Sequence, residues 1–260
     1  VTTKIQWTEA TWNPTSGCDR ISAGCDNCYA LTMAKRLKAM GSAKYQNDGD
    51  PRTSGPGFAL TAHPGALSIP LLWRKPKRVF VNSMSDLFHA KVPADYITRV
   101  WQVMQQTPQH TYQILTKRPE RLARVLDRVH ADLGLTEPLP NVWLGTSIEL
   151  DKFTRRADHL RKAPAAVRFV SAEPLLGPLP SLDLTGIDWL IVGGESGTDA
   201  RPMRLDWVRA VIDPARTAGT ALFVKQLGTA WAKENGAADK KGGDPDEWPE
   251  DLRVREYPNT

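Results

Sequence analysis

The sequence predicts an α/β protein built as a partial or complete β/α (TIM-like) barrel. Two observations carry this. Between Arg78 and Leu227, short β-branched or aromatic runs alternate with helical patterns, which is the signature of β/α units around a parallel sheet. An open sheet of the dinucleotide-binding kind would also fit this alternation, but the chain lacks both a Gly-x-Gly-x-x-Gly turn and a phosphate-binding Gly-Lys-Ser/Thr loop, which favours the barrel.

The elements follow in order. A first strand is expected near 11–15, then a loop holding every cysteine, then a helix over 27–40. The Gly-, Pro-, Ser- and Ala-rich stretch 41–76 is too long for an ordinary connection and reads as a lid, binding insert or arm. Strands are expected at "RVFVNS" (78–83), "YQILTK" (112–117), "NVWLGTS" (141–147), "VRFVSAE" (167–173), "DWLIVGGE" (188–195) and "ALFVKQ" (221–226). Helical spacing is clearest in "PADYITRVWQVMQQT" and "ERLARVLDRVHADL". This gives six to seven parallel strands in a barrel over 1–232, with 233–260, charged and broken by Gly and Pro, as an appendage.

A chain of 260 residues, 41% hydrophobic, can bury a substantial core. No apolar run is long enough to span a membrane, and the first residues lack the build of a signal peptide, so a cytoplasmic protein is expected. The net charge of +5 and the basic clusters admit a nucleic-acid partner, DNA ahead of RNA. Arg74, Lys75, Lys77, Arg78, Arg118, Arg121 and Arg124 are the candidate phosphate contacts, although such residues equally serve as solvated faces.

In a β/α barrel, function gathers where strands end. Those ends are polar: Asn82, Ser83 and Asp86; Thr116, Lys117 and Arg118; Thr146, Ser147 and Glu149; Ser171 and Glu173; Glu195 and Ser196; Lys225 and Gln226. We expect them on one rim. Lys117, Lys225 and Gln226 are the candidates for catalysis, and each group could instead serve a structural ion pair.

The three cysteines, Cys18, Cys25 and Cys28, lie within "NPTSGCDRISAGCDNCYA" at C-x6-C-x2-C spacing. An odd set in a cytoplasmic chain argues against disulfides. Two readings remain: three thiolates holding a [4Fe–4S] cluster with one iron open, or a Cys3His zinc site completed by His63 or His89. A loop directly after the first strand lies on the active rim, which favours the cluster.

The ordered set "WNPTSGC", "GCDNCYA", "LTKRPERL", "GTSIE", "SAEPLLGP", "GGESG" and "FVKQLG" resembles a phage and bacterial three-cysteine-motif family of unassigned function that is radical-enzyme-like. The spacing departs from the usual radical pattern of C-x3-C-x-aromatic-C. Asn27 stands where its aromatic would be, and Tyr29 follows the last cysteine. The resemblance implies that Cys18, Cys25 and Cys28 ligate three irons of a [4Fe–4S] cluster and that the fourth chelates S-adenosylmethionine. Reductive cleavage would then yield a deoxyadenosyl radical. It further implies cofactor contacts from Tyr29, Ser83, Asp86, Ser147, Glu149, Glu173 and the "GGE" of Gly193, Gly194 and Glu195, an electron donor and a partner protein. The expected activity is base repair or modification on DNA. A non-enzymatic nucleic-acid-binding protein stabilised by metal, and a radical enzyme for a small molecule or peptide, are the alternatives.

Overall fold

A computed structural model describes residue 3 and residues 5–259. The chain divides into two compact units, Val1–Leu144 with Lys162–Ala166, and Gly145–Arg161 with Val167–Thr260.

The first unit opens with β1 (Ala10–Trp12) and the short β2 (Thr15–Ser16). The cysteine loop follows and leads into α1 (Tyr29–Ala39). The insert contributes β3 (Thr61–Ala62), antiparallel to β2. Next come β4 (Arg78–Val81), α2 (Ala94–Gln106), β5 (Thr111–Thr116) and α3 (Leu122–Leu133). Parallel pairing joins β1 to β4 and β4 to β5. Helix α2 forms because Tyr96, Ile97, Val100, Trp101, Val103 and Met104 fall on one stripe, and all are buried. Helix α3 buries Leu122, Val125, Leu126 and Val129 in the same way and stops at Gly134, whose φ of 64° suits the left-handed cap.

β6 (Val142–Ser147) runs from the first unit into the second. The second unit continues with α4 (Arg155–Arg161), β7 (Val167–Ala172), β8 (Trp189–Gly193), α5 (Leu205–Ala218), β9 (Ala221–Gln226) and α6 (Thr229–Glu234). β8 is parallel to both β7 and β9. All five of its residues are buried, as expected of a strand covered on both faces. The last residues belong to this unit. Val224 N donates to Val254 O at 2.8 Å, and Glu256 N donates to Leu222 O at 2.8 Å.

The strand order is β1-β4-β5-β6-β7-β8-β9. Apart from the small β2-β3 pair, sequence neighbours are sheet neighbours, so the chain is α/β with the connectivity of a partial TIM-like barrel. No helix among the described residues is long and apolar enough to cross a membrane.

Candidate functional site

In the first unit the residues before the cysteines lock the loop in place. Asn13 Oδ1 accepts from Met84 N at 3.1 Å, and Asn82 Nδ2 donates to Thr15 Oγ1 at 2.8 Å. Ser85 Oγ donates to Gly17 O at 2.6 Å, while Gly17 N donates to Met84 O at 3.0 Å. Asn82 adopts a φ of 65°, a conformation that Asn tolerates better than most residues. Gly17 has a φ of 86°, and a methyl group added there would lie 2.1 Å from Ala59 O. The insert therefore presses on the loop just before Cys18. It also holds the following turn, where Arg20 N donates to Thr53 O at 2.7 Å and Thr53 Oγ1 donates to Asp19 Oδ1 at 2.8 Å. The segment expected as a lid or arm is thus one wall of the cysteine loop.

Cys18 and Cys28 pack against one apolar cluster of Ala30, Ala34, Tyr45, Phe58 and Met84. Burial, reinforced by Asp86, pushes the Cys18 thiol up to about 12, with Arg118 opposing. Burial also raises Cys28, and Cys25 acts in the same direction on both. The three thiols therefore share one electrostatic neighbourhood. Both candidate histidines have hydrogen-bond partners. His63 Nε2 is bonded to Ser16 Oγ at 2.8 Å. His89 Nε2 meets Asp19 Oδ2 at 2.9 Å, while its Nδ1 accepts from Lys91 N at 3.2 Å. Among the described residues no three His, Cys, Asp or Glu side chains are placed to hold a single metal ion.

Asp86, expected at the cofactor, is saturated by the protein. Its Oδ1 accepts from Phe88 N at 3.0 Å and Thr116 Oγ1 at 2.7 Å. Its Oδ2 accepts from Lys117 N at 3.1 Å and Arg118 Nη1 at 2.9 Å. Arg118 also reaches Cys18 Sγ at 3.5 Å and Asp19 O at 3.1 Å. Ser83 pairs with Asn13 at 3.2 Å, and the Tyr29 hydroxyl donates to Ser83 O.

The seven basic candidates fall into two groups. Arg74, Lys75, Lys77 and Arg78 precede or open β4, whereas Arg118, Arg121 and Arg124 follow β5, the next strand of the same sheet. Four strand residues separate those ends by about 13 Å. Arg78 is partly neutralised by Glu9 at 3.7 Å. Arg121 spends its guanidinium on the carbonyls of Phe88, His89 and Val92. Arg74, Lys75 and Arg124 are exposed.

In the second unit the strand-end carboxylates have cationic partners that the sequence did not reveal. Glu149, fully buried, accepts from Arg156 Nη1 at 2.9 Å, and the same nitrogen donates to Ser147 O at 2.8 Å. Glu195 is clasped by Arg201, with Nε and N on Oε2 at 2.9 and 2.8 Å and Nη2 on Oε1 at 2.6 Å. Gln226 Nε2 donates to Gly194 O at 2.8 Å, and Gly194 N donates to Gln226 O at 2.8 Å. Glu173 Oε1 accepts from Lys225 Nζ at 2.6 Å, and Oε2 accepts from Ser171 Oγ at 3.1 Å. A side chain at Gly193 would crowd Glu173 Oε1 at 2.9 Å, so this glycine makes room for the carboxylate. Glu173 and Lys225 keep 14% and 21% side-chain exposure. Of these three acidic candidates, Glu173 keeps the most side-chain exposure.

Asp19, Arg156 and Arg201 were absent from the sequence-based candidates. Their signal was weak, since an isolated charge near a strand end carries no mark of what it will face.

These features define a β/α-barrel-type α/β protein with a three-thiol loop after its first strand. The chain belongs to the family described as protein of unknown function (DUF5131), whose model matches residues 2–250. No curated protein matches the sequence.

Proposed function

We propose that the protein is an iron–sulfur, radical S-adenosylmethionine-type enzyme that acts on nucleic acid. The observation that carries the reading is that Cys18 and Cys28 pack against one apolar cluster, with buried Cys25 between them in the loop beyond β1 and Arg118 set against Cys18. The donor set suits an iron–sulfur core in type and number, because three thiolates satisfy three irons and leave one open.

The chemistry such a group supplies when bound is one-electron reductive cleavage of S-adenosylmethionine. The chain's own residues would hold the thiols rigid, keep water from them and orient the substrate. The second of these tasks is supported by buried Cys25 and half-buried Cys18 and Cys28.

Anaerobic loading with iron and sulfide, followed by dithionite and S-adenosylmethionine, tests the reading. About four irons per chain and release of 5′-deoxyadenosine are expected, and both should be lost with Ala at Cys18, Cys25 or Cys28. Stoichiometric zinc without sulfide would overturn it.

The substrate class rests on charge. Exposed Arg74, Lys75 and Arg124 can reach phosphates, and an extended polyanion, unlike a small molecule, can contact both strand ends of the first unit. Binding to single-stranded or distorted DNA should weaken steeply with salt. Arg74→Ala with Lys77→Ala should flatten that slope by about one unit per lost contact. Undetectable binding at low salt would favour the small-molecule or peptide substrate.

A further inference from the structure

Arg118 occupies a position that neither phosphate binding nor simple salt bridging explains. Its side chain is only 11% exposed, which removes it from any backbone groove. Its guanidinium is placed from three sides. Nη1 donates to Asp86 Oδ2 at 2.9 Å and to Cys18 Sγ at 3.5 Å, and Nη2 donates to Asp19 O at 3.1 Å. A guanidinium nitrogen carries two hydrogens, so one Nη1 serves both the carboxylate and the sulfur. The backbone N of Arg118 donates to Thr116 Oγ1 at 2.9 Å, and Thr116 Oγ1 donates in turn to Asp86 at 2.7 Å. The carboxylate that anchors Arg118 receives two donors on each oxygen, so it is itself immobilised.

Arg118 Nη1 thus stands at once against the Asp86 carboxylate and the Cys18 sulfur, in a site with little solvent exposure. Asp86 acts on Cys18 in the direction opposite to Arg118, so without the guanidinium the sulfur would face an uncompensated carboxylate, and burial limits screening. A donor and a positive charge at a ligand sulfur stabilise the more negative, reduced state of the group that sulfur holds.

We propose that Arg118, anchored by Asp86, is a positioning residue that holds Cys18 in its ligating orientation and raises the reduction potential of the cysteine-bound cluster. This rests on the iron–sulfur reading above. It predicts a property of a residue that the nucleic-acid reading would have assigned to phosphate.

The test compares the wild-type chain, Arg118→Gln, Arg118→Lys and the remote charge-removing control Arg216→Gln. Each is loaded anaerobically with iron and sulfide and titrated with dithionite against redox dyes. The midpoint of Arg118→Gln should fall until reduction is about tenfold less favourable, which is about 59 mV for one electron. Arg118→Lys, which keeps the charge but lacks the planar fork that also reaches Asp19 O, should fall less, and Arg216→Gln should match wild type. If wild type takes up no iron and sulfide, the iron–sulfur reading fails and this proposal with it. If wild type loads but Arg118→Gln and Arg118→Lys titrate at its potential, the cluster stands and Arg118 is only a structural partner of Asp86. Should Arg118→Gln not fold, the Arg118→Lys midpoint decides by the same criterion.

Discussion

Arg156→Met is expected to lower the free energy of unfolding by about 3–5 kcal/mol, the cost of removing one partner from a buried ion pair. Glu149 has no solvent exposure, and Arg156 supplies its cation at 2.9 Å while also serving Ser147 O. Without the guanidinium, the carboxylate must either stay charged in a low-dielectric site or take up a proton, and both disfavour the native state. The double variant Glu149→Gln with Arg156→Met should recover much of the loss, since it removes the buried charge as well as its partner. Urea unfolding followed by circular dichroism measures both. A loss below about 1 kcal/mol in the single variant would mean that the pair is hydrated in solution. Glu149→Gln alone is also informative. A large drop in stability with S-adenosylmethionine binding intact would make this carboxylate structural.

Asp86→Ala should cost a similar amount, about 3–5 kcal/mol, and for a related reason: it strands the Arg118 charge. The same change removes the acceptor for Phe88 N, Thr116 Oγ1 and Lys117 N. Its second consequence is local. Arg118 no longer has an anchor for the contact with Cys18 Sγ, so the thiol loop should open more often. Alkylation of Cys18 by a thiol reagent under native conditions should therefore accelerate, beyond the change seen with the equally destabilised Arg156→Met. Equal acceleration in the two variants would show that the effect is global unfolding and that Asp86 has no special hold on the loop.

Much of the architecture was legible because burial leaves a periodic trace. The expected strand at 221–226 is β9, residue for residue, and those at 141–147 and 167–173 match β6 and β7 to within one residue at an end. The helix expected over 27–40 is α1, trimmed at both ends. The first strand was less well placed. The chain makes β1 at Ala10–Trp12, then a separate two-residue β2 that pairs with the insert. Polar residues in "NPTSG" gave no hint of this, because their partners at 59–63 and 82–85 come from distant parts of the chain.

The sequence by itself determined the alternation of strands and helices, the three clustered thiols and the polar strand ends, since periodicity and residue type are local properties. Only the tertiary structure decided how the charges are used. Arg118 and Cys18 lie 100 residues apart and Lys225 and Glu173 lie 52 apart, and no local pattern announces either contact. In the folded chain Arg118 and Arg121 donate to internal acceptors, and Glu149 and Glu195 pair with arginines. It also converts a Gly- and Pro-rich insert into a wall of the cysteine loop. The physical reason is the cost of burying an unpaired charge: once parallel strands carry polar ends into a desolvated setting, whichever opposite charge the fold brings within about 3 Å must pair with them.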